Sequence, residues 1–133
     1  MFIQNNTFSK TSNFTILVDG GSANNIRSNN YQSQKISDII SLVHNGNIEL
    51  PAPLIAEAAN NMISGTAGAY DRVEVYVYEN GYVLPGGYTV AAEDGSFIFV
   101  TEDSLGGKQV LLTATDLQNN TSAFSQLYSV ENE

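Results

Sequence analysis

From residue 54 onward, turn-forming residues divide the sequence into runs that have the length of β-strands. Glycine, asparagine and aspartate recur about every 8–12 residues, which is the spacing of strands in antiparallel sandwiches. The runs between them are rich in valine, isoleucine, tyrosine and phenylalanine, residues that suit the pleated surface of a sheet. This pattern predicts an all-β fold, with an antiparallel β-sandwich in the C-terminal part of the chain.

Two dipeptides in this region are signals for tight β-hairpins. Asn80-Gly81 lies between two strand-like runs, and Asp94-Gly95 lies between two others. A type I′ turn needs positive φ at both central residues, which asparagine, aspartate and glycine tolerate best. We therefore predict an antiparallel hairpin at each dipeptide.

Residues 73–78 alternate as a strand with two different faces does. Valine stands at 73, 75 and 77, whereas glutamate or tyrosine stands at 74, 76 and 78. Successive side chains of a strand point to opposite faces. The valines are therefore predicted to face the core, and Tyr76 and Tyr78 to lie on the outer surface.

The N-terminal third of the chain contains an internal repeat. Ile3-x-x-Asn6-x-Phe8 recurs as Ile26-x-x-Asn29-x-Tyr31 after 23 residues, and 16–20 is echoed by 41–46 after 25. Short strands with asparagine-rich corners at this period predict one to two coils of a parallel β-solenoid, in which each coil stacks on the next. An alternative stays open for 35–44, where apolar residues at i, i+3, i+4 and i+7 fit a short amphipathic helix.

A pair of prolines separates the two patterns. Pro51 and Pro53 lack backbone donors and favour an extended chain, as in a linker between modules. We predict solenoid-like coils over 1–47, a linker over 48–53 and the sandwich over 54–133.

Four motifs after the prolines occur in the order and spacing of a known family. They are Ser64-Gly65-Thr66, Val73-Glu74-Val75-Tyr76, Asp94-Gly95-Ser96-Phe97 and the run TATDLQNNTSAFS at 113–125. Together they make 54–130 resemble the bacterial immunoglobulin-like (Big-type) modules of surface proteins, which often follow the end of a right-handed parallel β-helix. The resemblance implies an immunoglobulin-like antiparallel β-sandwich with a short β-helix-like N-terminal segment. The run 84–87 (LPGG) departs from the family pattern, in which a shorter link joins the third and fourth strands.

Composition limits the classes of function. Hydrophobic residues make up 42% of the chain, which is too many for a disordered protein. With 14 acidic and 5 basic residues the net charge is −9, which disfavours nucleic acid and anionic membranes as partners. The chain has no cysteine, no apolar stretch long enough for a membrane span and no secretory signal. If the protein is extracellular or at the cell surface, its export signal lies outside this sequence.

Catalytic chemistry finds little support in the sequence. His44 is the only histidine, and its surroundings, LVHNGN, are typical of an exposed loop and lack a nucleophile motif. A glycosidase needs two carboxylates facing one cleft. The part before the predicted sandwich, 1–53, offers only Asp19, Asp38 and Glu49. We expect no catalytic residues and no enzymatic activity.

Exposed aromatic residues are the first candidate for a binding site. Tyr76, Tyr78, Tyr82 and Tyr88 lie on or beside one predicted hairpin. Their flat faces are suited to stacking on sugar rings, so this strip is a possible glycan-binding surface. The alternative, which we favour, is that these tyrosines cover the neighbouring coils or an adjacent module.

Oxygen-rich corners are the second candidate. Asp94, and Asp116 with Asn119, offer oxygen ligands for weak calcium binding, although no D-x-D-x-D-G loop is present. We favour the alternative that these residues stabilise their own turns, because aspartate and asparagine side chains bond to nearby backbone. No other cofactor is expected.

The sequence thus predicts a non-catalytic structural or adhesive module of a larger secreted protein. The alternative is a carbohydrate-binding accessory domain of a polysaccharide-degrading β-helix enzyme. The expected partners are neighbouring modules of the parent protein, glycans or other surface proteins. We also predict self-association, because unpaired coil edges act as templates for strand pairing.

Overall fold

The computed structural model describes residues 1–9, 15–32 and 35–131, and this part of the chain is almost entirely β. The N-terminal strands are β1 (Phe2–Gln4), β2 (Thr7–Phe8), β3 (Ile16–Asp19), β4 (Asn25–Arg27), β5 (Asn30–Gln32) and β6 (Ile40–Val43). The remaining strands are β7 (Leu54–Ala59), β8 (Met62–Thr66), β9 (Arg72–Glu79), β10 (Tyr82–Val90), β11 (Ser96–Val100), β12 (Gln109–Thr115) and β13 (Tyr128–Ser129). A short 3-10 helix occupies Ile36–Asp38, and Gly46–Glu49 forms a tight turn in which Asn47 and Ile48 have positive φ. No helix in these ranges is long and apolar enough to span a bilayer.

Strands β7 to β13 form an immunoglobulin-like sandwich, as predicted. One sheet has the order β11-β8-β7, and the other contains β13-β12-β9-β10. All strand pairs within these two groups are antiparallel, and the chain crosses between the sheets after β8, β10 and β11. The interior is a buried apolar cluster contributed by both sheets: Ile63, Val73, Val75, Ala91, Phe97, Phe99, Leu105, Val110, Leu112 and Val130.

The N-terminal strands pair in parallel, each with an equivalent strand about one repeat later. β1 pairs with β4, β2 with β5, and β3 with β6. We call β1–β3 the first coil and β4–β6 the second coil. Strand β5 also pairs with β10, so that one six-stranded sheet runs from the sandwich into both coils. This sheet therefore contains strands from both sides of the predicted linker at 48–53.

The register of these pairs agrees with one predicted repeat and corrects the other. Ile3 lies opposite Ile26 and Phe8 opposite Tyr31, which is the predicted offset of 23 residues. For β3 and β6 the predicted offset of 25 is wrong, since Ile16 pairs with Ile40, at 24. The side-chain period of a strand is two, so the buried Ile16 meets the buried Ile40 only in the observed register.

The stretch 35–44 does not form the amphipathic helix that its isoleucine spacing allowed. Only Ile36–Asp38 is helical, as a single 3-10 turn, and β6 follows directly. Ile39 and Ile40 are both buried in the coil core. The backbone from Ile40 onward pairs with β3 and so does not need helical hydrogen bonds. Tertiary pairing therefore outweighs local periodicity.

One of the two predicted hairpins is present. Asn80 and Gly81 both have positive φ, at 53° and 82°, and Glu79 pairs with Tyr82, as in a type I′ hairpin. The prediction for Asp94-Gly95 is wrong in its strand pairing. This dipeptide does form a tight turn, but β10 before it pairs with β9 and β11 after it pairs with β8. The turn carries the chain from one sheet to the other.

The run 84–87 is not a connection between strands. It lies inside β10, where the register shifts between Pro85 and Gly87 in a β-bulge. Proline and glycine are tolerated at a bulge because the ladder of hydrogen bonds is already interrupted there. The run 84–87 therefore does not link the third and fourth strands, contrary to the comparison with the family pattern.

Strand β9 is buried on both faces, contrary to the prediction of one outward face. Val73 and Val75 point into the sandwich, as expected. Glu74 and Tyr76 on the opposite face are 3% and 0% exposed, and Tyr78 is half-buried. The coils cover this face, which has its own apolar cluster: Ile16, Val18, Ile26, Tyr31, Ile39, Ile40, Tyr76, Val83 and Leu111.

Candidate functional site

The Asp116 corner (residues 116–121) is held by its own carboxylate. Oδ1 of Asp116 accepts hydrogen bonds from the backbone N–H groups of Gln118 at 3.0 Å and Asn120 at 2.9 Å. The amide of Asn120 also donates to both carboxylate oxygens. Asn119 adopts a positive φ of 65°, which asparagine tolerates. The side chain of Asp116 thus fixes the turn, as the favoured alternative predicted.

The outward side of this corner bonds to the second coil. Oδ1 of Asn120 accepts the N–H of Ala23 at 2.8 Å, and the hydroxyl of Thr121 accepts the N–H of Ile26 at 2.9 Å. In addition, Oδ1 of Asn119 accepts a hydrogen bond from the amide of Asn25 at 3.1 Å. The corner therefore joins the two parts of the chain.

Asparagine pairs connect the two coils at equivalent positions. Oδ1 of Asn29 accepts the N–H of Asn6 at 2.8 Å, and Oδ1 of Asn47 accepts the N–H of Asn24 at 3.1 Å, each from 23 residues away. The amide of Asn47 then donates to the carbonyl of Asn24 at 2.8 Å and to that of Thr121 at 3.1 Å. Each later asparagine thus satisfies backbone groups at the equivalent position one repeat earlier, and Asn47 links this ladder to the sandwich.

Glu74 provides a second, deeply buried contact between the sandwich and the second coil. We call the set of contacts between these two parts of the chain the joint. Its carboxylate accepts the backbone N–H of Ser28 at 2.9 Å, the hydroxyl of Ser28 at 3.0 Å and the hydroxyl of Tyr76. A buried carboxylate is tolerated only where donors replace the water that it has lost. Ser28 has a positive φ of 57°, which directs this coil corner towards β9.

Aromatic rings fill the space beside Glu74. Tyr76 meets Phe124 edge to face at 4.9 Å between ring centroids, and Tyr31 meets Phe124 in the same way at 5.7 Å. Phe8 of the first coil stacks on Tyr31 at 5.5 Å. Burial raises the pKa of both Tyr31 and Tyr76 well above that of a free phenol, and the charge of Glu74 adds to this shift. Both hydroxyls are therefore neutral hydrogen-bonding groups.

The four tyrosines predicted as a glycan-binding strip do not form one. Tyr76 is fully buried and Tyr78 is half-buried against the coils. Tyr82 and Tyr88 remain exposed, at 46% and 55%, but the guanidinium of Arg72 lies 3.6 Å from the ring centroid of Tyr88 and covers one of its faces. The preferred alternative, in which these tyrosines cover the coils, holds for Tyr76 and Tyr78.

The oxygen-rich corners have other uses in the structure. Asp116 and Asn119 are engaged as described above, and Oδ1 of Asp94 accepts hydrogen bonds from the N–H and hydroxyl of Ser96. These bonds lower the pKa of Asp94. In the described ranges no three or more His, Cys, Asp or Glu side chains are grouped so as to hold a metal ion. Weak calcium binding stays a prediction.

His44 lies in an exposed corner, as predicted. Its Nδ1 faces Oδ1 of Asp19, and the two side chains are 80% and 60% exposed. An open pair of this kind does not create a dry reaction site. Glu49 accepts the N–H of Asn45 at 2.8 Å and so also serves its own turn.

The residues that form the joint were missed as functional residues. Thr121, Asn47 and Glu74 carry its buried contacts, but none is part of a catalytic or metal motif. One signal was present in the sequence: Asn24 and Asn47 are separated by the same 23 residues as Asn6 and Asn29. Glu74 gave no such signal, because alternation in β9 placed it on a face predicted to be wet.

Comparisons with known proteins add little to this description. No protein-family model matches the chain, and no curated protein sequence matches it. One similar solved structure is the solution structure of the fibronectin type-III domain of human fibronectin type III domain containing protein 3. It has a TM-score of 0.36 and 12% sequence identity, and the match covers 63% of this chain and 86% of that chain. The immunoglobulin-like assignment therefore rests on the strand order and registers given above.

Proposed function

We propose that this chain is a non-catalytic structural module in which the sandwich closes the end of a stack of parallel β-coils. The outer edge of the second coil carries this proposal. Its backbone N–H groups at Ala23, Ile26 and Ser28 each donate to a side chain of the sandwich. Open strand edges invite unwanted pairing, and stacked repeats need a terminal cap for that reason.

The opposite edge of the stack, formed by the first coil, is not covered by the sandwich in this way within the described ranges. In the part of the chain that is described, β1 pairs only with β4, and β3 pairs only with β6. Asn6 holds the same corner position as Asn29, but its own Oδ1 accepts no hydrogen bond from the described residues. The first coil would therefore accept a further coil of the same construction, in the same register.

The wider setting follows from the resemblance to Big-type modules. We propose that the chain belongs to a larger extracellular or cell-surface protein, in which such a cap has a structural or adhesive role. The carbohydrate-binding alternative has lost its main support, because Tyr76 is inaccessible and Tyr78 is half-buried. The β-helix-like identity of 1–47 is likewise a proposal, supported by the three parallel pairs and the asparagine ladder.

Replacing Thr121 with valine tests whether the sandwich holds the coil edge. Valine keeps the shape of the buried side chain but removes the acceptor for the N–H of Ile26 and the bond to the Thr115 hydroxyl. Leaving a buried donor unpaired costs about 1–3 kcal/mol. We expect a lower free energy of unfolding and faster amide hydrogen exchange at Ile26 and through the second coil.

The matched control is Thr66→Val, since Thr66 is exposed on β8, in the sheet with the order β11-β8-β7. It should leave both the stability and the exchange of the coil amides close to wild type. Unchanged protection of the second coil in Thr121→Val would show that the coils hold their edge without the sandwich and would overturn the capping role.

The open edge of the first coil is also expected to cause self-association. Light scattering at rising protein concentration should give masses above that of the monomer. Leu17→Lys places a charge on the edge strand β3, where Leu17 is 47% exposed, and charged edges resist pairing. This variant should shift the mass towards the monomer.

Ile98→Lys serves as the control, because Ile98 is exposed on β11, far along the chain from the coils. It introduces the same charge and should leave association unchanged. A wild-type chain that stays monomeric at high concentration would contradict an open coil edge.

A further inference from the structure

A groove runs along the side of the sandwich where the two sheets end in β7 and β13. It consists of two adjoining cavities that share Tyr128, with volumes of about 430 Å³ and about 360 Å³. One wall is the whole of 52–59, and the other is 124–129 with Glu131. Cavities of several hundred cubic ångströms are typical of ligand sites.

Both walls of the groove include sheet edges. Among the strands that the structure describes, β7 pairs only with β8, and β13 pairs only with β12. Among the described residues no backbone hydrogen bond crosses from β7 to 124–131. In an antiparallel pair only part of the backbone groups face the partner strand, so the remaining N–H and C=O groups of β7 face the groove. Such an edge is a template for an added strand.

The two halves of the groove differ in chemistry. The larger half is apolar, with Leu54 72% exposed and Tyr128 37% exposed, and with Phe124 and Leu127 in its wall. The smaller half contains two carboxylates, Glu57 and Glu131, both of them exposed. Leu54 and Glu57 lie on either side of a register shift in β7 between Ile55 and Glu57, so their separation along the strand is at most about 10 Å.

We propose that this groove binds an extended basic peptide segment by strand addition to β7. The backbone of the peptide would pair with the free edge, an apolar side chain would enter the larger half, and a lysine or arginine would meet Glu57 and Glu131. Main-chain pairing gives affinity in this mode of recognition, and pockets for alternate side chains give specificity. A second copy of this chain is a poor occupant, because it has only 5 basic residues and a net charge of −9.

Binding can be measured by NMR titration of the full chain with a synthetic peptide. The probe is a capped heptapeptide in which valine alternates with lysine and threonine. One control peptide carries glutamate in place of lysine, and another is N-methylated on alternate backbone amides. We expect shifts along β7 and 124–129 with the first peptide only, since N-methylation removes strand pairing without changing charge.

A pair of double variants locates the site. Glu57→Gln with Glu131→Gln should weaken binding about fivefold, because exposed charge pairs each contribute less than about 1 kcal/mol. Glu93→Gln with Glu102→Gln makes the same change in net charge at other exposed positions and should leave binding unchanged. Melting temperatures of both variants establish that they are folded.

Several outcomes would overturn the proposal. They are the absence of binding by the basic peptide, equal binding of its N-methylated form, and equal weakening by the two double variants. The last two would reveal unspecific attraction to an acidic surface. None of these results depends on the capping role, which concerns the Asp116 corner and Glu74.

Discussion

Replacing Tyr76 with alanine is expected to lower the free energy of unfolding by about 3–5 kcal/mol, the usual cost of removing a large aromatic side chain from a core. Tyr76 is fully buried between β9 and the coils, and its ring contacts Phe124 and Tyr31. Its hydroxyl also donates to the carboxylate of Glu74. The substitution therefore removes packing and leaves a buried acceptor with fewer donors.

Urea denaturation of three variants separates these effects. Tyr76→Phe keeps the ring and loses only the hydroxyl, so it should cost about 1–2 kcal/mol. Tyr82→Ala removes an exposed tyrosine from the same hairpin and should stay within about 0.5 kcal/mol of wild type. A Tyr76→Ala variant as stable as wild type would mean that the coils do not cover β9 and would restore this residue as a surface ligand-binding candidate.

Strand β9 explains why the sandwich was predictable and its surroundings were not. Alternation in 73–78 gave the strand and placed Val73 and Val75 in the interior, because the period of two is a local property. It did not determine what covers the other face. A tyrosine is compatible with an exposed surface and with a buried interface, and the choice depends on coils that are distant in sequence.

The run at β12 contained a signal for this second buried face. In 109–115 (QVLLTAT) three apolar residues follow one another, and all residues from Val110 to Thr115 are buried. Continuous apolar runs are typical of strands covered on both sides. Because β12 and β9 are neighbours in one sheet, burial of Leu111 implies burial of Tyr76, which pairs with it.

The positions of turns were predictable, but the turn type and the strand connection were not predictable at every site. The turn at Asp94-Gly95 is tight but is not of type I′, because Gly95 has a positive φ of 86° and Asp94 does not. Whether the flanking strands then pair with each other is decided by the interior, because Phe97 and Phe99 are buried when β11 joins β8. At Asn80-Gly81 the backbone conformation and the strand pairing are both as predicted, and the hairpin forms.

The joint was only partly visible in the sequence for a related reason. The 23-residue repeat indicated which coil residues stack, and Ile3 and Phe8 lie where it predicted. Contacts between Asn120 and Ala23 or between Glu74 and Ser28 connect residues of unlike pattern, separated by 97 and 46 positions. A single sequence holds no periodicity that relates such residues.

Gly65→Ala is expected to destabilise the sandwich strongly. A Cβ at Gly65 would overlap the carbonyl oxygen of Leu54 and would lie 3.0 Å from Cζ of Phe97. Leu54 belongs to β7 and Phe97 to β11, so the added methyl group would push against both neighbours of β8. Overpacking of this kind costs about 1–3 kcal/mol, and contact with backbone places the effect at about 3 kcal/mol.

Gly86→Ala is the matched control for this substitution. Its Cβ would meet the carbonyl oxygen of Val75 at 3.4 Å and Cγ2 of Val77 at 3.6 Å, which are ordinary contacts. Because alanine restricts the unfolded chain more than glycine does, Gly86→Ala should change stability by less than about 1 kcal/mol and can increase it. Equal losses in the two variants would point to a general intolerance of β-carbons in these strands. A loss confined to Gly65→Ala would locate the constraint at the contact of β8 with the carbonyl of Leu54 in β7, which accounts for glycine in the Ser64-Gly65-Thr66 motif on steric grounds.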